Sequence, residues 1–209
     1  MADRLKVGIV GATGMVGQRF VSLLADHPWF QVTTVAASER SAGKAYAEAV
    51  GNRWVMPTPV PPAIAKLVVK NAAKVDDVAG GVDFIFCAVD MPKDEIRALE
   101  DSYAKSETPV VSNNSAQRWT PDVPMLLPEV NAGHLSVIEA QQKRLGTRPS
   151  DLGELRPSIL DLLTQPRLCC LPLCSKARLD LRLCLRSVLH TIAKGGQRLA
   201  LPWDQEWSH

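Results

Sequence analysis

Through about Thr147, short apolar runs alternate with stretches in which apolar residues recur every three or four positions. The runs predict strands near 5–10, 31–36, 67–71, 83–89, 109–113 and 124–128, and the periodic stretches predict helices near 14–26, 92–105 and 132–145. Strands that keep giving way to helices build an α/β domain. Its sheet is doubly wound and mostly parallel, with both faces covered, because each parallel crossover lays a helix over it.

The first junction carries chemistry. Leu5-Lys6-Val7-Gly8-Ile9-Val10 runs straight into Gly11-Ala12-Thr13-Gly14-Met15-Val16-Gly17, and the amphipathic run Arg19-Phe20-Val21-Ser22-Leu23-Leu24 follows. This is strand, glycine-rich turn and helix start, the phosphate-binding opening of a Rossmann-like dinucleotide fold. Gly11 supplies the tight turn, Gly14 lets a pyrophosphate approach the backbone, and Gly17 lets the helix pack close on the strand. The anion sits on free N–H groups at a helix N-terminus, where the peptide dipoles favour negative charge.

Composition narrows the class. The chain has 209 residues, 46% apolar and 22% charged, as expected of a soluble globular protein. A net charge of +2 without a basic stripe interleaved with aromatics implies no nucleic-acid partner. The N-terminus leads into a strand rather than a signal-peptide core, and no apolar run reaches membrane-spanning length, so a cytoplasmic location without membrane attachment is expected.

Past Thr147 the text changes. The last 62 residues hold fifteen leucines, four of the five cysteines and no phenylalanine or tyrosine. Basic and acidic residues number fifteen and sixteen before the break, nine and six after it. The division expected is a dinucleotide-binding domain over 1–147 and a tail over 148–209 of the kind a reading-frame change or retained intron yields, with a small helical add-on as the alternative. Within the tail, Leu185, Val188, Leu189 and Ile192 recur at helical spacing before Gly195-Gly196, suggesting a helix within about 176–194. Leu179, Leu181, Leu183 and Leu185, alternating with Asp180, Arg182, Cys184 and Arg186, follow strand periodicity instead, and both readings stay open beside a third, a tail that is in large part disordered.

Cofactor choice is read after the second strand. Where an acid usually receives the ribose hydroxyls of NAD, this chain offers Ser38-Glu39-Arg40-Ser41 and then Lys44. Two hydroxyls and a guanidinium suit a 2′-phosphate and favour NADP. A solvated loop is the plain alternative, and Glu39 would serve NAD if it pointed inward.

Gly11 to Gly17, Ala37-Ser38-Glu39-Arg40-Ser41-Ala42-Gly43-Lys44, Ser112-Asn113-Asn114-Ser115-Ala116-Gln117-Arg118 and Leu127-Pro128-Glu129-Val130-Asn131 together resemble aspartate-β-semialdehyde dehydrogenase, its fungal and archaeal branch in particular, over roughly residues 5–147. N-acetylglutamyl-phosphate reductase shares the architecture but differs where Ser112 to Arg118 lies. A short-chain dehydrogenase needs a Tyr-x-x-x-Lys pair, whereas Tyr46 is followed by Val50 and Tyr103 by Glu107 at that spacing.

The resemblance implies a role for each matched position. Thr13, Met15 and Val16 would line the pyrophosphate turn with Gly11, Gly14 and Gly17, while Ser38, Arg40 and Ser41 would hold the adenosine phosphate of NADP. Cys87 and Ala88, followed by Val89, would flank the cofactor ribose, and Asn114 with Pro128 to Asn131 would border the nicotinamide. Arg118 would bind inorganic phosphate through its planar fork. The alternatives are an exposed Arg118–Asp122 pair and a Cys87 that is only a small core residue.

Enzymes of this family attack the aldehyde with a cysteine thiolate, pass hydride to NADP and let phosphate displace the thioacyl group. The family's cysteine lies in a Pro-Asn-Cys-Ser/Thr context just beyond the position of Thr147, where this chain has Arg148-Pro149-Ser150-Asp151-Leu152, and no Asn-Cys pair occurs anywhere in it. Cys169, Cys170, Cys174 and Cys184 repeat neither that context nor a zinc-ligand spacing, so no catalytic residue and no metal site is expected. His27, His134, His190 and His209 are expected in solvated or capping roles.

The reading is thus a truncated, catalytically silent dehydrogenase that retains its NADP-binding domain. A non-enzymatic form that binds or competes with full-length subunits is the alternative, and an active oxidoreductase of unforeseen mechanism is a third. The family's substrate domain supplies most of the subunit interface, and a tail helix docked in place of its returning helix would cover apolar surface here. Homo-oligomers or association with full-length subunits follow from that surface.

Overall fold

The structure, a computed structural model, describes residues 4–125 and 131–147. Five strands make its sheet: β1 (Leu5–Val10), β2 (Phe30–Ala37), β3 (Val69–Asn71), β4 (Phe84–Cys87) and β5 (Val110–Ser112). They lie in the order β3-β2-β1-β4-β5, and every pair is parallel, with Leu5 against Phe30, Val35 against Val69, Val10 against Cys87 and Cys87 against Ser112. This is the doubly wound sheet expected. The winding reverses between β1 and β4, so the carboxyl ends of those two strands open a crevice.

The apolar runs are continuous because both faces are covered. Along β4, Phe84 and Phe86 join one core and Ile85 and Cys87 the other. On the first face, α1 (Met15–Leu24) lays Phe20 flat on Phe86, with ring centroids 4.9 Å apart, and Phe30 meets Phe84 edge-on at 5.1 Å. On the second, α4 (Val75–Ala79) and α5 (Lys93–Lys105) bring Val78, Ile96 and Tyr103 against Ile85 and Cys87.

Two short helices, α2 (Tyr46–Val50) and α3 (Pro62–Ala65), fill the β2–β3 crossover. Neither they nor α4 is long enough to show periodicity. The helix expected over 132–145 begins as a 3-10 turn, Ala132–Val137, and becomes regular only in α6 (Ile138–Leu145). Gly133, which lacks a side chain, weakens the first turn. Gly146, with φ +68°, closes the helix in the left-handed conformation. Pro124 and Met125 are not in a strand. The rest of the strand expected over 124–128, and every expectation about residues 148–209, fall outside the described residues.

His27 is neither solvated nor a simple cap. It is buried against Phe30, and its Nδ1 accepts the N–H groups of Trp29 and Phe30 at 3.3 and 3.1 Å. Burial, helped by Arg4, pushes its pKa down to about 4, so the imidazole is neutral.

Candidate dinucleotide-binding site

The turn after β1 can be made only with glycine. Gly11 has φ +86°, and a Cβ there would stand 2.4 Å from the carbonyl oxygen of Ala88 at the exit of β4. At Gly17 a Cβ would stand 2.2 Å from the carbonyl oxygen of Gly11, so α1 can approach β1 only without one. Gly14 differs. It is exposed, and a Cβ there would meet only the Gly11 carbonyl oxygen, at 3.4 Å.

Backbone hydrogen bonds divide the turn into a fixed and an open part. The N–H groups of Gly11 and Ala12 both donate to Ala36, Gly14 donates back to Gly11, and Gln18 donates to Gly14. The N–H groups of Thr13, Met15, Val16 and Gly17 have no partner among the described residues. Unpaired donors around the start of α1 make an anion cradle.

Two buried side chains, neither among the residues expected at the site, brace this turn from behind. The Tyr46 hydroxyl donates to the carbonyl of Ala12 at 2.8 Å. The Gln18 amide donates to the carbonyls of Thr13 and Arg53 at 3.1 and 2.9 Å and accepts the N–H of Val55 at 2.9 Å. With those carbonyls occupied, the turn presents donors outward. Only the polarity of Gln18 on the buried face of α1 hints at this in the sequence.

Ser38 and Arg40 are exposed at the carboxyl end of β2, beside an exposed Glu39 and Lys44, whereas Ser41 is 7% exposed. At the exit of β4 Cys87 is fully buried in the core that also holds Ile96 and Tyr103, and burial, then the Glu100 charge, pushes its pKa up to about 12. Its side chain is therefore a core group, and the backbone of Ala88 is what meets the glycine turn.

At the exit of β5, Asn113 N–H donates to Cys87 at 3.2 Å and Asn114 N–H to the Ser112 hydroxyl at 3.1 Å. That hydroxyl donates to Glu100 of α5 at 2.5 Å, and the Asn114 amide reaches the same carboxyl oxygen at 3.4 Å. Glu100 is 6% exposed, and its burial raises its pKa. Nothing in the sequence marked it.

Arg118 is exposed and forms no ion pair among the described residues. Asp122, the alternative partner, is held by Arg144 at 2.5 Å, and Arg144 also pairs with Asp101 at 3.1 Å. The Nδ1 of His134 accepts the N–H of Met125 at 3.1 Å. Among the described residues no group of three or more His, Cys, Asp or Glu could hold a metal ion, and no helix is long and apolar enough to cross a membrane.

The sequence profile of the semialdehyde dehydrogenase NAD-binding domain matches residues 6–138. The chain belongs to this family. Aspartate-semialdehyde dehydrogenase of Archaeoglobus fulgidus is 45% identical over 143 residues, which are 68% of this chain and 40% of that one. The malonyl CoA reductase (NADP) of Metallosphaera sedula is 39% identical over 146 residues, 69% of this chain and 38% of that one. A crystal structure of aspartate semialdehyde dehydrogenase with NADP from Candida albicans superposes with a TM-score of 0.59 at 36% identity, covering 68% of this chain and 38% of that one. This semialdehyde dehydrogenase-type domain thus spans about two fifths of the length of these relatives. The fungal and archaeal resemblance drawn from the sequence holds for that portion.

Proposed function

We propose that this chain binds NADP at the β1–β4 crevice. The observation that carries the reading is the cradle of four N–H groups, at Thr13, Met15, Val16 and Gly17, that have no partner among the described residues, around a turn whose Gly11 no side chain can replace. These donors would take the pyrophosphate, with exposed Gly14 leaving room for it. Ser38 and Arg40, with Ser41 as the inner wall, would take the 2′-phosphate. Ala88 and the backbone of Cys87 would flank the ribose, and Asn114 the nicotinamide. A relative's structure with NADP supports the same choice. When bound, the cofactor would accept or give hydride, and the chain's own residues would hold and orient it.

The chain by itself would not carry out phosphate-dependent oxidation of aspartate semialdehyde. That route needs a thiolate, and Cys87 is buried, with its pKa pushed up to about 12. The Asn-Cys context of the family occurs nowhere in the sequence. Relatives named for two different activities each match about two thirds of the chain, which suits a shared cofactor role rather than substrate choice. Arg118 would still offer a site for inorganic phosphate. We place the cofactor domain at 1–147, the tail at 148–209, and the protein in the cytoplasm.

A second reading, a non-enzymatic form that joins its own copies or full-length subunits, draws on α6, none of whose eight residues is fully buried. Calorimetric titration with NADP and NAD, beside an assay with aspartate semialdehyde and phosphate, separates these readings. Saturable NADP binding without turnover supports the first. Turnover refutes the loss of the nucleophile, and no binding leaves the interaction form.

A further inference from the structure

No sequence pattern marks an acid at the sheet, yet Glu100 of α5 lies buried at the exit of β5, with no cation paired to it among the described residues. A buried carboxyl is costly unless hydrogen bonds satisfy it. Two of its partners are the residues that flank Asn113, and the Cys87 thiol is a third. Asn114 N–H donates to the Ser112 oxygen at 3.1 Å, which turns the Ser112 O–H onto Glu100 at 2.5 Å. The Asn114 Nδ2 points at the same carboxyl oxygen, 3.4 Å away, and at the Cys87 sulfur, 3.9 Å away. Both partners of Nδ2 are buried, and Asn114 Oδ1 has no partner among the described residues. The carboxyl therefore decides which end of the Asn114 amide is free. It leaves an acceptor, which suits a ligand that brings N–H donors, as a carboxamide does.

We propose that Glu100 is a positioning residue for the nicotinamide half of the dinucleotide, holding the β5 exit and turning Asn114 so that Oδ1 is the open acceptor. The proposal rests on the NADP reading above and concerns one half of that ligand only. A residue that merely supported the fold would affect both halves alike.

The test is calorimetric titration of the full 209-residue chain with NADPH and with 2′-phospho-ADP-ribose, which lacks the nicotinamide. For Glu100→Leu, NADPH binding is expected to weaken about tenfold, the order of one lost hydrogen bond, while 2′-phospho-ADP-ribose binding stays within about twofold. Glu100→Gln keeps an acceptor at the same place and should restore NADPH binding. Ser112→Ala, which removes the link from the other side, should weaken NADPH binding several-fold with the same selectivity, and it carries the test if Glu100→Leu fails to unfold cooperatively. Equal losses for both ligands, or no loss for NADPH in Ser112→Ala and Glu100→Leu, would overturn the proposal. Failure of the unaltered chain to bind 2′-phospho-ADP-ribose would instead overturn the NADP reading.

Discussion

The Tyr46 hydroxyl lies 2.8 Å from the carbonyl oxygen of Ala12, joining α2 to the glycine turn 34 residues earlier in the chain. Both residues are fully buried, so this contact is the carbonyl's substitute for water. Tyr46→Phe keeps the ring and its edge contact with Trp54 but leaves an unsatisfied acceptor under the phosphate turn. A loss of about 1–3 kcal/mol is expected in urea unfolding, with an unchanged dependence on denaturant. Unaltered stability would show that the hydroxyl is dispensable and that the turn holds its shape without this brace.

The glycines of the turn should separate by cause. Gly11→Ala places a methyl 2.4 Å from the Ala88 carbonyl oxygen at φ +86°, so backbone must move, and a loss of at least about 2 kcal/mol in stability is expected together with loss of NADP binding. Gly14→Ala meets nothing closer than 3.4 Å within the protein. It should change stability by no more than about 1 kcal/mol, yet weaken NADP binding, because the methyl occupies the ligand's approach. Thermal unfolding beside titration reads both effects. Equal destabilisation by the two substitutions would mean that Gly14 too is required by the fold.

What the sequence made legible was whatever depends on local pattern. The runs at Leu5–Val10 and Phe84–Cys87 reveal strands because both faces of the sheet are covered, and the glycine spacing reveals the turn because Gly11 and Gly17 each answer a backbone constraint. Contacts that depend on how distant elements register were not legible. Glu100 meets Ser112 across the α5–β5 junction, and Asp122 is taken by Arg144 rather than by nearby Arg118. No periodicity encodes either pairing. The helices α2, α3 and α4 were missed because four or five residues are too few to show a period.

His27 should make the fold sensitive to acid. Its pKa is about 6.5 in the unfolded chain and is pushed down to about 4 in the folded one, so between these values the unfolded chain binds a proton that the folded one does not. Stability then rises with pH across that window. It is fully present above about pH 6.5 and lost progressively as the pH falls toward 4. The contribution is on the order of 2 kcal/mol once the Arg4 part is discounted for solvent screening. His27→Gln, which retains an acceptor for the N–H groups of Trp29 and Phe30, should flatten the slope in urea titrations between pH 4 and 7. A slope unchanged by the substitution would assign the acid sensitivity to other groups.

Preference for NADP over NAD should reside largely in Arg40. Ser38 and Arg40 are exposed at the end of β2, and Arg40 takes part in no ion pair among the described residues, so its guanidinium need not leave a partner to meet a 2′-phosphate. A charge-assisted pair of this kind contributes about 1.5–3 kcal/mol, which is roughly ten- to a hundredfold in affinity. Arg40→Ala is therefore expected to weaken NADP by at least about tenfold and to leave NAD nearly unchanged, because NAD offers no charge at that place. Since the site is open to solvent, the gap between the two cofactors should narrow as salt is raised in the unaltered chain and depend little on salt in the variant. Parallel titrations at low and high ionic strength measure both. Equal weakening of the two cofactors would place Arg40 on a feature they share and move the 2′-phosphate contact to Ser38 or Lys44.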